Sequence, residues 1–236
     1  MSKNNKNNKN NDIGFMAMSK VTAYAYYFII SNLLFFVSIL LPGAWLLFFE
    51  PNLLNIVALG FIFPGLAALV SCGIKFKESE EKVKFSVLKE FIDGYKKNFK
   101  DTIKYCFIYA AIVFAAVSNI NYYGVEMPMF LIVALGISGT LSTLMVTYAM
   151  AVATKFQFKL KDLMGVSISC IIIQFKTTIK IVIMYLVLLF VLPGLGLFIV
   201  LLLTSPIIYL LITFIQPALE YVHEYFIASP PPAEPE

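Results

Sequence analysis

Apolar residues in this chain come in long, nearly uncharged runs separated by short lysine-bearing polar stretches. There is no arginine, and the lysines are clustered: four within residues 1–20, nine from Lys75 to Lys104, and five from Lys155 to Lys180. Between Lys20 and Lys75 the one charged side chain is Glu50, and between Lys104 and Lys155 it is Glu126. A bare run of about 50 residues accommodates two crossings of ~20 residues each with a connection between them. Two crossings return the chain to the side it left, so every lysine cluster falls on one face. By the positive-inside rule that face is cytoplasmic.

The pattern predicts spans near 23–41, 53–74, 102–118, 128–153, 176–192 and 197–218. Tyr24, Tyr26, Tyr27 and Trp45 suit the aromatic belts at the two ends of the first. Pro42-Gly43 is expected to end that helix. Pro64-Gly65 lies in the middle of the second span and predicts a kink or a half-length element there. The last pair has an alternative, a single kinked pass with an external C-terminus, because the acidic tail has no lysine to place it. Residues 1–12 are polar and asparagine-rich, and 1–19 are expected to form a disordered cytoplasmic segment, not a signal peptide. Residues 20–222 form the membrane domain, and 223–236 a disordered tail.

Composition supports the same class. Hydrophobic residues make up 60% of the 236 and charged residues 14%, against about 45–50% and about 25% in soluble domains. A soluble fold of this length could not cover so much apolar surface. The expected fold is all-α: a polytopic membrane helix bundle of six spans in three hairpins.

Two local patterns add detail. Phe85, Leu88, Phe91, Ile92, Tyr95 and Phe99 recur at helical spacing among lysines and acids, which predicts an amphipathic helix on the cytoplasmic face. It could lie on anionic lipid, pack beneath the bundle, or meet a partner. The stretch Phe99-Lys100-x-Thr102-Ile103-Lys104, followed by Tyr109, recurs 76 residues later as Phe175-Lys176-x-Thr178-Ile179-Lys180, followed by Tyr185. Both copies have the same orientation, so a repeated hairpin here is a parallel one. The alternative is convergence on a good membrane-entry sequence, aromatic and lysine at the interface and then apolar residues. On the fourth span Gly139, Thr143, Thr147 and Ala151 follow at i+4 and make a ridge of small residues suited to close helix approach.

The order of features carries a resemblance. Asn32-Leu33-Leu34 precedes Phe63-Pro64-Gly65-Leu66-Ala67-Ala68-Leu69. Phe91-x-x-x-Tyr95-Lys96-x-Asn98-Phe99-Lys100 follows, then Phe158-Lys159-Leu160-Lys161-Asp162-Leu163. Over about residues 20–222 this resembles the YesL-like family of small bacterial integral membrane proteins. The chain departs from the pattern in Gly65, in a longer segment between Pro42 and Pro64, and in having no arginine. The resemblance implies no established activity. It implies a companion of carbohydrate-uptake systems, particularly sugar importers driven by ATP.

Catalytic chemistry is not expected. His223 is the single histidine, Cys72, Cys106 and Cys170 are isolated, and the sequence has no Walker loop, GxSxG elbow or HExxH helix. The deep segments carry no ionisable coupling residue. Neutral polar side chains such as Ser31, Asn32, Thr143, Thr147 and Ser205 are expected to bond between helices. The reading is a non-enzymatic accessory protein of the bacterial cytoplasmic membrane, multi-pass with a cytoplasmic N-terminus. Its expected partners are the lipid bilayer and membrane transporter subunits, with no cofactor, metal or nucleic acid. The alternative is an independent carrier or channel for a neutral solute. The sequence leaves the oligomeric state open.

Overall fold

The computed structural model describes residues 2–49, 54–79 and 85–228, with backbone alone for 2–17, 125, 197 and 198. The segments 50–53, 80–84 and 229–236 lie outside the described residues, as do the side chains of most of the expected N-terminal segment. Among the described residues every regular element is helical: α1 (Ser2–Phe48), α2 (Leu54–Glu78), α3 (Val87–Tyr123), α4 (Met129–Lys155), α5 (Leu160–Ile173), α6 (Phe175–Val191) and α7 (Leu197–Val222). Six stretches, all but α5, are long and apolar enough to cross a membrane. The chain is a polytopic helix bundle.

Helix α2 is the central element. It packs on α1, α3, α4 and α7, and from Pro64 to Ile74 only Leu66 is not fully buried. Its small residues make this possible: with Gly65, Ala67, Ala68, Ser71, Cys72 and Gly73, neighbouring backbones can come close on several sides. A Cβ on Gly65 would lie 2.4 Å from Ser38 Oγ of α1. Pro64 does not halve the helix, which continues to Glu78. Proline's fixed φ is compatible with a helix, and the surrounding helices hold the element together where one backbone bond is missing. Helix α1 likewise continues through Pro42 to Phe48 and does not end at Pro42-Gly43, since proline's fixed φ is compatible with a helix.

Helix α3 has 37 residues and is about 55 Å long, against a hydrocarbon core of about 30 Å. The amphipathic segment is therefore the first part of a spanning helix and not a separate surface element. Val87, Phe91, Gly94, Asn98, Thr102 and Tyr105 are buried along it. Their spacing of three and four residues keeps one seam turned inward. A Cβ on Gly94 would lie 3.1 Å from the Ser71 side chain, so α2 and α3 approach closely there.

The repeat extends over whole helices. Shifting α2 by 76 residues gives 130–154, and α4 is Met129–Lys155. Shifting α3 gives 163–199, the stretch occupied by α5, α6 and the turn after them. Gln174, the counterpart of Asn98, has ψ 45° and bends the second copy between α5 and α6. The ladder survives the bend, since Gln174 N–H donates to Cys170 O and Thr178 N–H to Gln174 O. One copy is thus a straight rod and the other a bent one.

The packing of helix α7 favours the two-helix reading of the last apolar stretch over one kinked pass. Lys176 and Lys180 place the start of α6 on the lysine side, and α7 packs back on α6, α4, α2 and α1. Near its end Lys77 Nζ lies 3.2 Å from Thr213 Oγ1, on the lysine side again. The final pair packs as a hairpin, and six helices among the described residues are long and apolar enough to span a membrane. The expected tail begins later than 223, because His223–Ala228 continue the helix as a π-helical turn.

Candidate functional site

Two features of the bundle combine polar chemistry with defined geometry. The first is the ledge formed by the lysine-side part of α3. Val87 and Phe91 are buried with Leu69, Cys72 and Phe76 in an aromatic-rich core. Phe85 meets Phe76 edge-on at 5.3 Å, and Phe99 lies 5.5 Å from Tyr95 and 6.2 Å from Phe61. Lys75 and Glu90 form an ion pair between α2 and α3. Of the six apolar residues read from the sequence, Phe91 is buried, Phe85, Tyr95 and Phe99 are half-buried, and Leu88 and Ile92 are exposed, at 51% and 39%. The segment therefore divides its apolar face: one edge clamps α2 and the other stands open among Lys89, Asp93, Lys96 and Lys97.

The second feature is a cavity of about 280 Å³ between the repeats, walled by α2, α3, α4, α6 and α7. Equivalent residues of the two copies line it in pairs, Val70 with Val146 and Tyr109 with Tyr185. The ridge read on α4 faces this space: Thr143, Thr147 and Ala151 line it, whereas a Cβ on Gly139 would meet nothing within 4 Å. Tyr109 OH lies 3.2 Å from Thr143 Oγ1, and Tyr185 OH lies 2.6 Å from Thr147 Oγ1. No charged side chain is among the described residues that line it. The sequence held both halves of this arrangement, the tyrosines as repeat members and the threonines as a ridge. Nothing in it showed that they meet.

Other neutral polar groups join α1 to α7. Ser31 and Ser205 hydroxyls lie 2.6 Å apart. Asn32 Nδ2 donates to Leu202 O, and Ser205 N–H donates to Asn32 Oδ1 at 2.8 Å. Leu202 is four residues before Pro206, whose missing N–H leaves that carbonyl without its helical partner. Ser38, Ser138, Ser142 and Thr204 instead bond carbonyls of their own helices. Cys72, Cys106 and Cys170 are buried and free, and no group of three or more metal-ligating side chains occurs among the described residues.

Residues 28–120 match the family described as "Protein of unknown function, DUF624". That family is the YesL-like group of membrane proteins, so the match agrees with the resemblance over these residues. The YesL-like match runs from within α1 through α2 to near the end of α3, so it covers the ledge and the first copy of the repeat. The second copy, which supplies both threonines of the cavity, lies beyond it. No curated protein and no solved structure matches the chain.

Proposed function

We propose that the protein is a non-enzymatic accessory subunit that associates with a membrane transporter complex and stabilises or regulates it, with carbohydrate uptake as the process served. In this reading the lysine side is cytoplasmic, the N-terminus is inside, and the membrane is the bacterial cytoplasmic membrane. The observation that carries the proposal is the ledge. Val87, Phe91, Gly94 and Asn98 fix it to α2, so its open edge is already ordered, and little conformational entropy is lost when a partner binds. That edge presents Leu88 and Ile92 between Lys89, Lys96 and Lys97, with Asp93 the opposing charge. Its basic character calls for an acidic cytoplasmic face on the transporter subunit, with an apolar centre to cover Leu88 and Ile92.

An independent carrier for a neutral solute is the competing reading. The cavity lining opposes its use for a sugar. Apart from two hydroxyl pairs the walls are apolar, and most hydroxyls of a sugar would be buried without partners.

The test is purification in a gentle detergent from the native membrane, with co-purifying proteins identified by mass spectrometry. Leu88→Ser with Ile92→Ser should abolish recovery of transporter subunits while the protein still inserts and remains monodisperse. Unchanged recovery from the normally inserted double variant would remove the ledge as the contact. If the edge rests on anionic lipid instead, the same variant would lose phosphatidylglycerol-vesicle binding and keep its protein partners.

A further inference from the structure

The cavity between the repeats has a defined hydrogen-bonding polarity, which follows from an inventory of its protons. A carbonyl oxygen only accepts. Thr143 Oγ1 lies 2.8 Å from Gly139 O, and Thr147 Oγ1 lies 2.7 Å from Thr143 O. Each threonine proton is therefore committed to the backbone of α4. The tyrosine contacts must then run the other way: Tyr109 OH donates to Thr143 Oγ1, and Tyr185 OH donates to Thr147 Oγ1. All four hydroxyl protons are used. What remains facing the space is lone pairs, on two tyrosine and two threonine oxygens spaced one helical turn apart along α4.

From this we infer that the cavity is a binding site for a small, largely hydrocarbon alcohol or diol. An acceptor-only site selects a ligand that donates hydrogen bonds. A ketone, ester or anion would bring a further acceptor, and its lone pairs would face those of the site. A cation would be buried without a counter-charge, since the described lining holds none. A polyol would leave surplus hydroxyls against Val70, Val146, Leu211 and Ile215. A hydrocarbon body carrying one or two hydroxyls satisfies both the walls and the oxygens. The two-fold placement of Tyr109 and Tyr185 gives two equivalent positions for a hydroxyl, which suits a diol spanning both. The inference is independent of the accessory role and concerns a different part of the bundle.

The full-length protein in lipid nanodiscs tests it, with fluorine NMR of a trifluoromethyl cyclohexanol and the matching cyclohexanone. Empty nanodiscs correct for partition into lipid. The alcohol should bind about fivefold tighter than the ketone, the worth of one net hydrogen bond. Thr143→Val with Thr147→Val removes two of the four acceptor oxygens and releases both tyrosine protons into the cavity, so the ketone gains donors and the alcohol's advantage should shrink toward parity. Thr147→Val alone should shift the ratio in the same direction and serves if the double variant does not insert. Ala151→Leu, which fills the space, should abolish binding of both probes. Equal or tighter ketone binding to the wild type would overturn the inference. So would an alcohol preference undiminished by the valine substitutions, or binding unaffected by Ala151→Leu.

Discussion

Asn32 stands in for a backbone N–H that α7 lacks. Within a bilayer a freed carbonyl has no water to turn to, so a neighbouring helix must supply the donor. The Asn32 amide supplies one to Leu202 O and also accepts from Ser205 N–H, which bridges the break at Pro206. Asn32→Ala should therefore lower stability by about 1–2 kcal/mol, the scale of two intramembrane side-chain bonds. Pro206→Ala restores an N–H four residues after Leu202, so in that background the cost of Asn32→Ala should fall to about half or less. Denaturant titration of the four purified proteins checks this. Equal costs in both backgrounds would mean that Asn32 is not acting on the proline break. The sequence identified Asn32 as an interhelical bonding residue, but its partner lies 170 residues away and could be found only once α1 and α7 were seen side by side.

At the scale of elements, the glycines of α3 and α4 give a matched contrast. A Cβ on Gly94 would lie 3.1 Å from the Ser71 side chain across the α2–α3 seam, whereas one on Gly139 would meet nothing within 4 Å. Gly94→Leu should force the ledge away from α2 and destabilise the protein by about 2 kcal/mol or more through overpacking. Gly139→Leu should change stability by less than about 0.5 kcal/mol. Thermal unfolding in one detergent compares the two, and limited proteolysis should cut Gly94→Leu first within residues 79–100. The amphipathic pattern of 85–99 was legible in the sequence because the alternation of lysine and apolar residues defines a face. It did not reveal the fusion to the third span. Periodicity tells which side of a helix is buried, not whether the helix bends at the membrane surface. Pro42 and Pro64 misled for a related reason. Their cost depends on what surrounds them, and Pro64 is buried in a bundle that holds its helix together on all sides.

The whole molecule is two copies of a helical hairpin, α2–α3 and α4 with α5–α6, completed by α1 and α7. Four of the six spans could be read from the lysine clusters alone, since bilayer thickness and charge placement leave few other ways to lay out that part of the chain. The last pair kept a single-pass alternative because the acidic tail has no lysine. The cavity could not be read at all. It depends on the angle at which the two copies meet, and the short repeated motif at Phe99 and Phe175 does not encode that angle. The ledge as a cytoplasmic partner surface requires that the three lysine clusters share one side. Membrane-impermeant thiol labelling of intact cells measures this directly, with single cysteines placed in a background where Cys72, Cys106 and Cys170 are replaced by alanine. Cysteines at Pro51 and Asn121 should label from outside, and those at Ser79, Gln157 and Ala233 should label only after the membrane is permeabilised. External labelling at Ser79 or Gln157 would contradict the arrangement, and external labelling at Ala233 would contradict the final hairpin.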